Sequence, residues 1–344
     1  DTISNSFEEA VKRAKEKYNI GIENDPLNPL NYVGLGKIAF LQKDVISGKN
    51  YFDKAIELFP SKKNKESNIS KDKQALTYIK IVEAYMMADI KDTNTIFSFL
   101  DKAEKLNNTN PLFYLLRGDV YLYLLNDGSN AIINYKRAQE LEPNSPTGKV
   151  KLGQLWLRAK RYQDALNYYK EAISIAPSFA PAYRELAEIY AMSGRYEEAK
   201  DNYKKYLDLS NKNTLARVRY ASFLYLTKDY EETINQINDI MTIDTSFNIL
   251  NRLLAYSYYE TEKYDKGLYY MNKFLNRMSP EKRICLDYLY YGRLLLKNGY
   301  DSLGLINIYK GYECDTTQTD VLNELAQAYN KLKKYEDVVN IYKI

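Results

Sequence analysis

Arginine and tyrosine supply most of the binding chemistry this sequence can offer. Arg158, Arg184, Arg219, Arg252 and Arg293, with Tyr225, Tyr256 and Tyr259, run through the middle and second half of the chain, joined by Lys151 and Gln154. A guanidinium is a planar fork of donors that matches a carboxylate. A tyrosine ring is a flat apolar face with one polar tip, ordered at low entropy cost. Alternating the two along a groove suits an extended peptide with acidic side chains or a free C-terminus. Covalent and acid–base chemistry has less to work with. The chain has no His, which removes the commonest neutral-pH acid/base and the commonest metal ligand. Its 2 cysteines, Cys285 and Cys314, are too few for a Cys/His zinc site within one chain. Asp, Glu, Lys and Tyr remain, but no Gly-rich phosphate loop or nucleophile elbow accompanies them. The expectation is a binding protein with no cofactor and no metal, not an enzyme.

Composition narrows the partner. With 49 basic and 45 acidic residues the net charge is +4, a near balance that gives no reason to expect nucleic acid. No stretch approaches 18 uninterrupted apolar residues, so no membrane-spanning segment is expected. A hydrophobic content of 45% over 344 residues is ample for a core. Gly and Pro, at 14 and 9, are scarce enough for helices joined by short turns.

The elements that must position these side chains are legible in residues 146–213. Leu152, Gly153, Trp156, Tyr162, Ala165, Tyr169, Ala172 and Pro177 fall at fixed offsets. Leu186, Ala187, Tyr190, Tyr196, Ala199, Tyr203 and Leu207 repeat the pattern 34 residues on, with Leu207 answering to no residue quoted in the first copy. Leu152, Gly153 and Trp156 share one face of a first helix; Ala165, Tyr169 and Ala172 share one face of a second. Gly153 and Ala165 leave room for the partner backbone, and Trp156 reads as core. The pattern resembles the tetratricopeptide repeat, which has this period. The resemblance implies an all-α, right-handed α-solenoid of about nine stacked helix-turn-helix repeats, because one hairpin cannot bury its own apolar face.

The register extends over nearly the whole chain. Residues 1–28 read as an N-terminal capping helix or half repeat, with Ser6 as N-cap. Repeats follow at 29–62, 63–110, 111–145, 146–179, 180–213, 214–247, 248–281, 282–318 and 319–344, in a single solenoid. Gly48 stands where Ala is usual, at a helix-propensity cost of about 1 kcal/mol. Residues 61–73 are polar and Lys-rich, a solvated loop or helix extension, or else a contact arm. Repeat 111–145 has one extra residue, placed around Asn126–Ser129. The pairs Tyr168-Tyr169, Tyr258-Tyr259, Tyr269-Tyr270 and Tyr290-Tyr291 each put one ring inward and one outward.

In the family that the pattern resembles, first helices line a concave face where extended peptides lie. Projecting the register onto that face yields the groove set: Lys151, Gln154, Arg158, Arg184, Arg219, Tyr225, Arg252, Tyr256, Tyr259 and Arg293. An alternative stands for several of them. Arg184 and Glu188, four apart, can satisfy each other, and Tyr256 and Tyr259 can fill space between repeats. The Lys and Asn set of the family's carboxylate clamp for chaperone tails is not reproduced. Cys285 opens a first helix and Cys314 closes its partner, so the two can form a disulfide or remain as two buried thiols.

The functional expectation is a scaffold that binds an extended, acidic peptide segment or partner protein. A small-ligand or glycan binder in a Tyr/Arg groove, and a regulatory region of a larger protein, are the alternatives. The start at Asp1 and the cysteine pair favour the cell envelope or periplasm over the cytoplasm, and the Lys-, Asn-, Ile- and Tyr-rich usage suggests a low-GC, bacterial genome. Termination inside a second helix at Ile344 points to a trimmed end or a surface met by a partner.

Overall fold

A computed structural model describes residues 2–343 except 63 and 212, with side chains from residue 8 onward. The described residues form 19 α-helices and no strand. After α1 (Thr2–Asn24) the helices pair as hairpins: α2 (Pro29–Leu41) with α3 (Val45–Glu57), α4 (Lys71–Met87) with α5 (Thr93–Leu106), α6 (Pro111–Asp119) with α7 (Gly128–Leu141), α8 (Pro146–Arg158) with α9 (Tyr162–Ile175), and α10 (Ala180–Met192) with α11 (Tyr196–Leu209). Four more follow: α12 (Thr214–Leu226) with α13 (Tyr230–Met241), α14 (Asn248–Glu260) with α15 (Tyr264–Arg277), α16 (Cys285–Lys297) with α17 (Asp301–Cys314), and α18 (Asp320–Lys331) with α19 (Tyr335–Ile341).

Local chemistry sets the helix ends. Pro29, Pro111 and Pro146 open helices where a missing N–H costs nothing. Asn28, Asp44, Ser70, Asp92, Asn110, Asp127 and Asn213 each accept a backbone N–H in the first turn. Every first helix ends on a left-handed residue: Lys43, Asp89, Asn126, Lys160, Gly194, Lys228, Glu262, Gly299 and Lys333 have φ between +53° and +82°. One such residue turns the chain back within three or four positions.

The chain divides into two compact units between Leu209 and Ser210. In the first, each new first helix lies against the hairpin before it, as α10 does against α8 and α9. This is how hairpins too thin to enclose a core acquire one. Ala165, Tyr169 and Ala172 are fully buried, and a Cβ on Gly153 would stand 2.3 Å from the Tyr169 ring. Phe40, Phe52 and Tyr85 pack edge to face at 4.9 and 4.8 Å. In the second unit Ile234, Ile237 and Ile240 meet Leu250 and Leu254, and Leu289 and Ile308 meet Leu325.

Several local expectations meet their outcome here. The first helix begins at Thr2, so Ser6 lies inside it. The extra residue of repeat 111–145 is absorbed in a π-helical turn over Val120–Leu124, not in the loop beyond it. Gly48 is required, since the Phe40 ring would stand 2.2 Å from its Cβ. Residues 64–70 form the expected, mostly exposed loop, and Lys71–Lys73 extend the next helix; the loop is anchored by Asn64 and Ser67, which donate to the Leu58 carbonyl at 3.0 and 2.6 Å, and by buried Ile69, while Lys63 lies outside the described residues. Trp156 is only half-buried, and Arg161 stacks on it at 4.6 Å. The pairs Tyr168-Tyr169, Tyr258-Tyr259 and Tyr290-Tyr291 each bury one ring and leave the other half-buried against the core rather than pointing outward, whereas Tyr269 is exposed and Tyr270 half-buried.

The close crossing of α16 and α17 carries a prediction. A Cβ on Gly292 would stand 2.7 Å from the Gly304 carbonyl oxygen, and backbone cannot rotate away. Gly292→Ala is expected to destabilise the chain by about 1–3 kcal/mol, read as a lower urea midpoint. An unchanged midpoint would show that α16 and α17 do not approach so closely.

Candidate interaction surface

The groove residues lie on first helices, and half of them are held by carboxylates of a neighbouring first helix. In the first unit Lys151 donates to Asp119 at 2.8 Å, and Gln154 donates to Glu185 at 2.9 Å. Arg184 bonds Glu185 and lies 3.9 Å from Glu188. Arg158 is exposed and donates to the neutral Asn126 at 2.9 Å. In the second unit Arg293 makes a fork-to-fork pair with Glu324 at 2.7–3.0 Å. Arg252 donates to Asp287 at 2.7 Å and stacks on Phe274 at 4.4 Å. Tyr256, 2% exposed, donates to the other Asp287 oxygen at 2.6 Å. Its ring stacks on Tyr290 at 4.0 Å, and Tyr259 meets Tyr290 edge-on at 5.4 Å. Tyr225 and Arg219 are half-buried. Burial therefore takes Tyr256, and nearly all of Arg252, out of reach of a docked chain. Arg252→Ala, which would strip the partner from fully buried Asp287, is not a neutral control for binding.

A spacing rule connects these contacts. Asp119 to Lys151, Gln154 to Glu185 and Arg293 to Glu324 join one first helix to the next across 31 or 32 residues. Tyr256 and Asp287, 31 apart, obey it as well. Asp119, Glu185, Asp287 and Glu324 were missed as site residues by reading repeats one at a time. Comparing each first-helix residue with the one about 31 positions on would have found all four of them, Asp287 through Tyr256.

Tyr123 was also missed, because it lies within the π turn over Val120–Leu124, whose extra residue takes the helix out of the repeat's register by about 100°, one residue's share of a helical turn. Its ring is 48% exposed and lies 5.8 Å from the Arg158 guanidinium. Burial of its hydroxyl end raises its pKa, reinforced by Asp119 and Glu185 and opposed by Arg158 and Arg184. One exposed aromatic thus stands among the charged groups of four side chains.

Buried hydroxyls carry a pH prediction. Tyr85 is raised from 10.0 to about 12, first by burial. Tyr135, Tyr169 and Tyr256 are raised further, by burial and then by Asp119, Glu185 and Asp287 respectively, and Tyr290 by burial and its bond to Glu260. The fold holds each phenol neutral more tightly than the unfolded chain does. That stabilisation is complete below pH 10 and is lost as pH rises through the folded values. The melting temperature should be level from pH ~7 to ~9 and fall above ~10; a level profile to pH ~12 would contradict the burial of these groups.

The same repeats appear in known proteins. A family model described as tetratricopeptide repeat matches residues 156–201. No curated protein matches the chain. Among solved structures, yeast Tom70 aligns with a TM-score of 0.62 at 20% identity, over 85% of this chain and 60% of that one. Pseudomonas aeruginosa pilF aligns with a TM-score of 0.52 at 16% identity, over 66% of this chain and 99% of that one. This chain therefore spans 60% of the Tom70 chain it matches. At these identities the likeness is one of fold: helical hairpins of the tetratricopeptide kind.

Proposed function

We propose that this tetratricopeptide-repeat chain is a non-enzymatic scaffold that holds an extended segment of a partner protein on its first-helix face. In the first unit the contact set is Tyr123, Lys151, Gln154, Arg158 and Arg184, with Glu188 beside them. The observation that carries the reading is the exposed Tyr123–Arg158 pair, 5.8 Å apart, beside side chains already fixed by the adjacent repeats. Side chains locked in advance lose little entropy when a ligand arrives. Their mixed donors and acceptors suit a peptide backbone as much as an acidic side chain, because Lys151 and Arg184 already have carboxylates. Arg158 is the cation left to favour acid. In the second unit Arg293 and Tyr259 form a similar half-buried surface. The glycan alternative has less support there, since Tyr256 and Tyr290 cover each other's ring faces. The Cys285–Cys314 bridge is the reason to place the protein in an oxidising compartment such as the cell envelope.

Titration of labelled acidic and neutral extended peptides tests the reading. Tyr123→Ala and Arg158→Ala are expected to weaken binding about tenfold each with no change in melting temperature. Equal, unsaturable association of every peptide with wild type and variants would defeat it.

A further inference from the structure

Two clefts of the first unit occupy the same place in successive repeats. One, about 420 Å³, opens between the start of α7 and the end of α8 and is lined by Ile132, Leu155 and Ala159. The other, about 370 Å³, opens between the start of α9 and the end of α10 and is lined by Leu166, Ile189 and Ser193. These residues correspond one to one, each 34 positions apart. The cause lies in the repeat. A small residue ends each first helix, beside the left-handed turn residue, and the preceding second helix does not fill the corner. Met192, 65% exposed, leaves apolar surface at the mouth of the second cleft.

The turn between the clefts is basic. Arg161 is spent on Asp164 at 2.6 Å and on the Trp156 ring. Lys160 pairs with no carboxylate among the described residues, and Arg158 has only Asn126 and the Tyr123 ring. Two apolar sockets thus flank uncompensated positive charge, on an edge that adjoins the Tyr123 surface proposed above and shares Arg158 with it.

We propose that this edge docks an extended segment of another protein that carries two bulky apolar side chains three residues apart with carboxylates between them. Neighbouring helices pack about 8–10 Å apart, which sets the socket spacing near 10 Å. A polyproline-type chain advances about 3.1 Å per residue and returns to the same face every third residue, about 9.3 Å on. A carboxylate between the two side chains then meets Lys160, and charge complementarity selects the segment.

The test uses the full chain and a fluorescein-labelled peptide with Leu-Glu-Glu-Leu at its centre. Saturable binding is expected, with Leu-Lys-Lys-Leu and Ala-Glu-Glu-Ala peptides weaker by about tenfold or more. Ala159→Glu, Met192→Glu and Lys160→Glu, all at exposed positions, should each weaken it about tenfold with the circular dichroism unchanged, while Tyr123→Ala leaves it intact. Absence of saturable binding, indifference to peptide sequence, or indifference to Ala159→Glu and Met192→Glu would each overturn the proposal. Loss on Tyr123→Ala alone would also overturn it, and would assign the peptide to the first-helix face instead.

Discussion

Asp287→Ala is expected to destabilise the chain by about 3–5 kcal/mol, the usual cost of stranding one member of a buried ion pair. Asp287 is fully buried and accepts from Arg252 at 2.7 Å, from the Tyr256 hydroxyl at 2.6 Å and from the backbone N–H of Ile284 at 2.9 Å. Removing the carboxylate leaves a guanidinium, 14% exposed, with its charge uncompensated, and leaves a buried phenol without an acceptor. The same argument predicts a rescue. Arg252→Met combined with Asp287→Leu removes both charges, and should recover all but about 1–2 kcal/mol, the Tyr256 hydroxyl and the Ile284 N–H still lacking acceptors. Urea unfolding followed by circular dichroism measures both. A single variant as stable as wild type, or a double variant no better than the single, would mean that Asp287 is not the buried centre of this cluster.

The second large effect belongs to the disulfide. Cys285 and Cys314 are joined, with Cα atoms 5.3 Å apart, and the bridge closes the α16–α17 hairpin across a separation of 29 residues. In the chain-entropy relation a loop of that size is worth about 3–4 kcal/mol. Reductant should therefore lower the urea midpoint of the wild-type chain and leave a Cys285→Ser/Cys314→Ser variant unmoved at the lower value. If the oxidised chain gains no mass on reduction, the bridge does not form. If it gains mass but keeps its midpoint, the hairpin is held by packing alone.

Parts of the site were readable in the chain and parts were not. Arg184 and Glu188 have the i, i+4 spacing that suggested a pair, and they do approach, but Arg184 also bonds the adjacent Glu185. Lys151, Gln154, Arg158 and Arg293 lie on first helices, as the register indicates. Their partners were hidden because Asp119, Glu185 and Glu324 belong to neighbouring hairpins, where no local spacing reveals them. Tyr123 was hidden for a different reason: it lies within a π turn whose extra residue takes the helix out of the repeat's register.

The chain by itself determined the helical hairpins and their period, because a glycine or alanine opposite a large ring, repeated every 34 residues, admits one close crossing of two helices. It likewise marked nine of the 19 helix starts, through prolines and through Asn, Asp and Ser caps whose bonds reach only two or three residues. Tertiary structure alone decided which cations are spent and which remain available, how deeply Tyr256 and Asp287 are buried, and where two clefts flank a basic turn. Those properties depend on what the next hairpin places opposite each side chain, and burial and charge are compensated across that gap rather than along the helix.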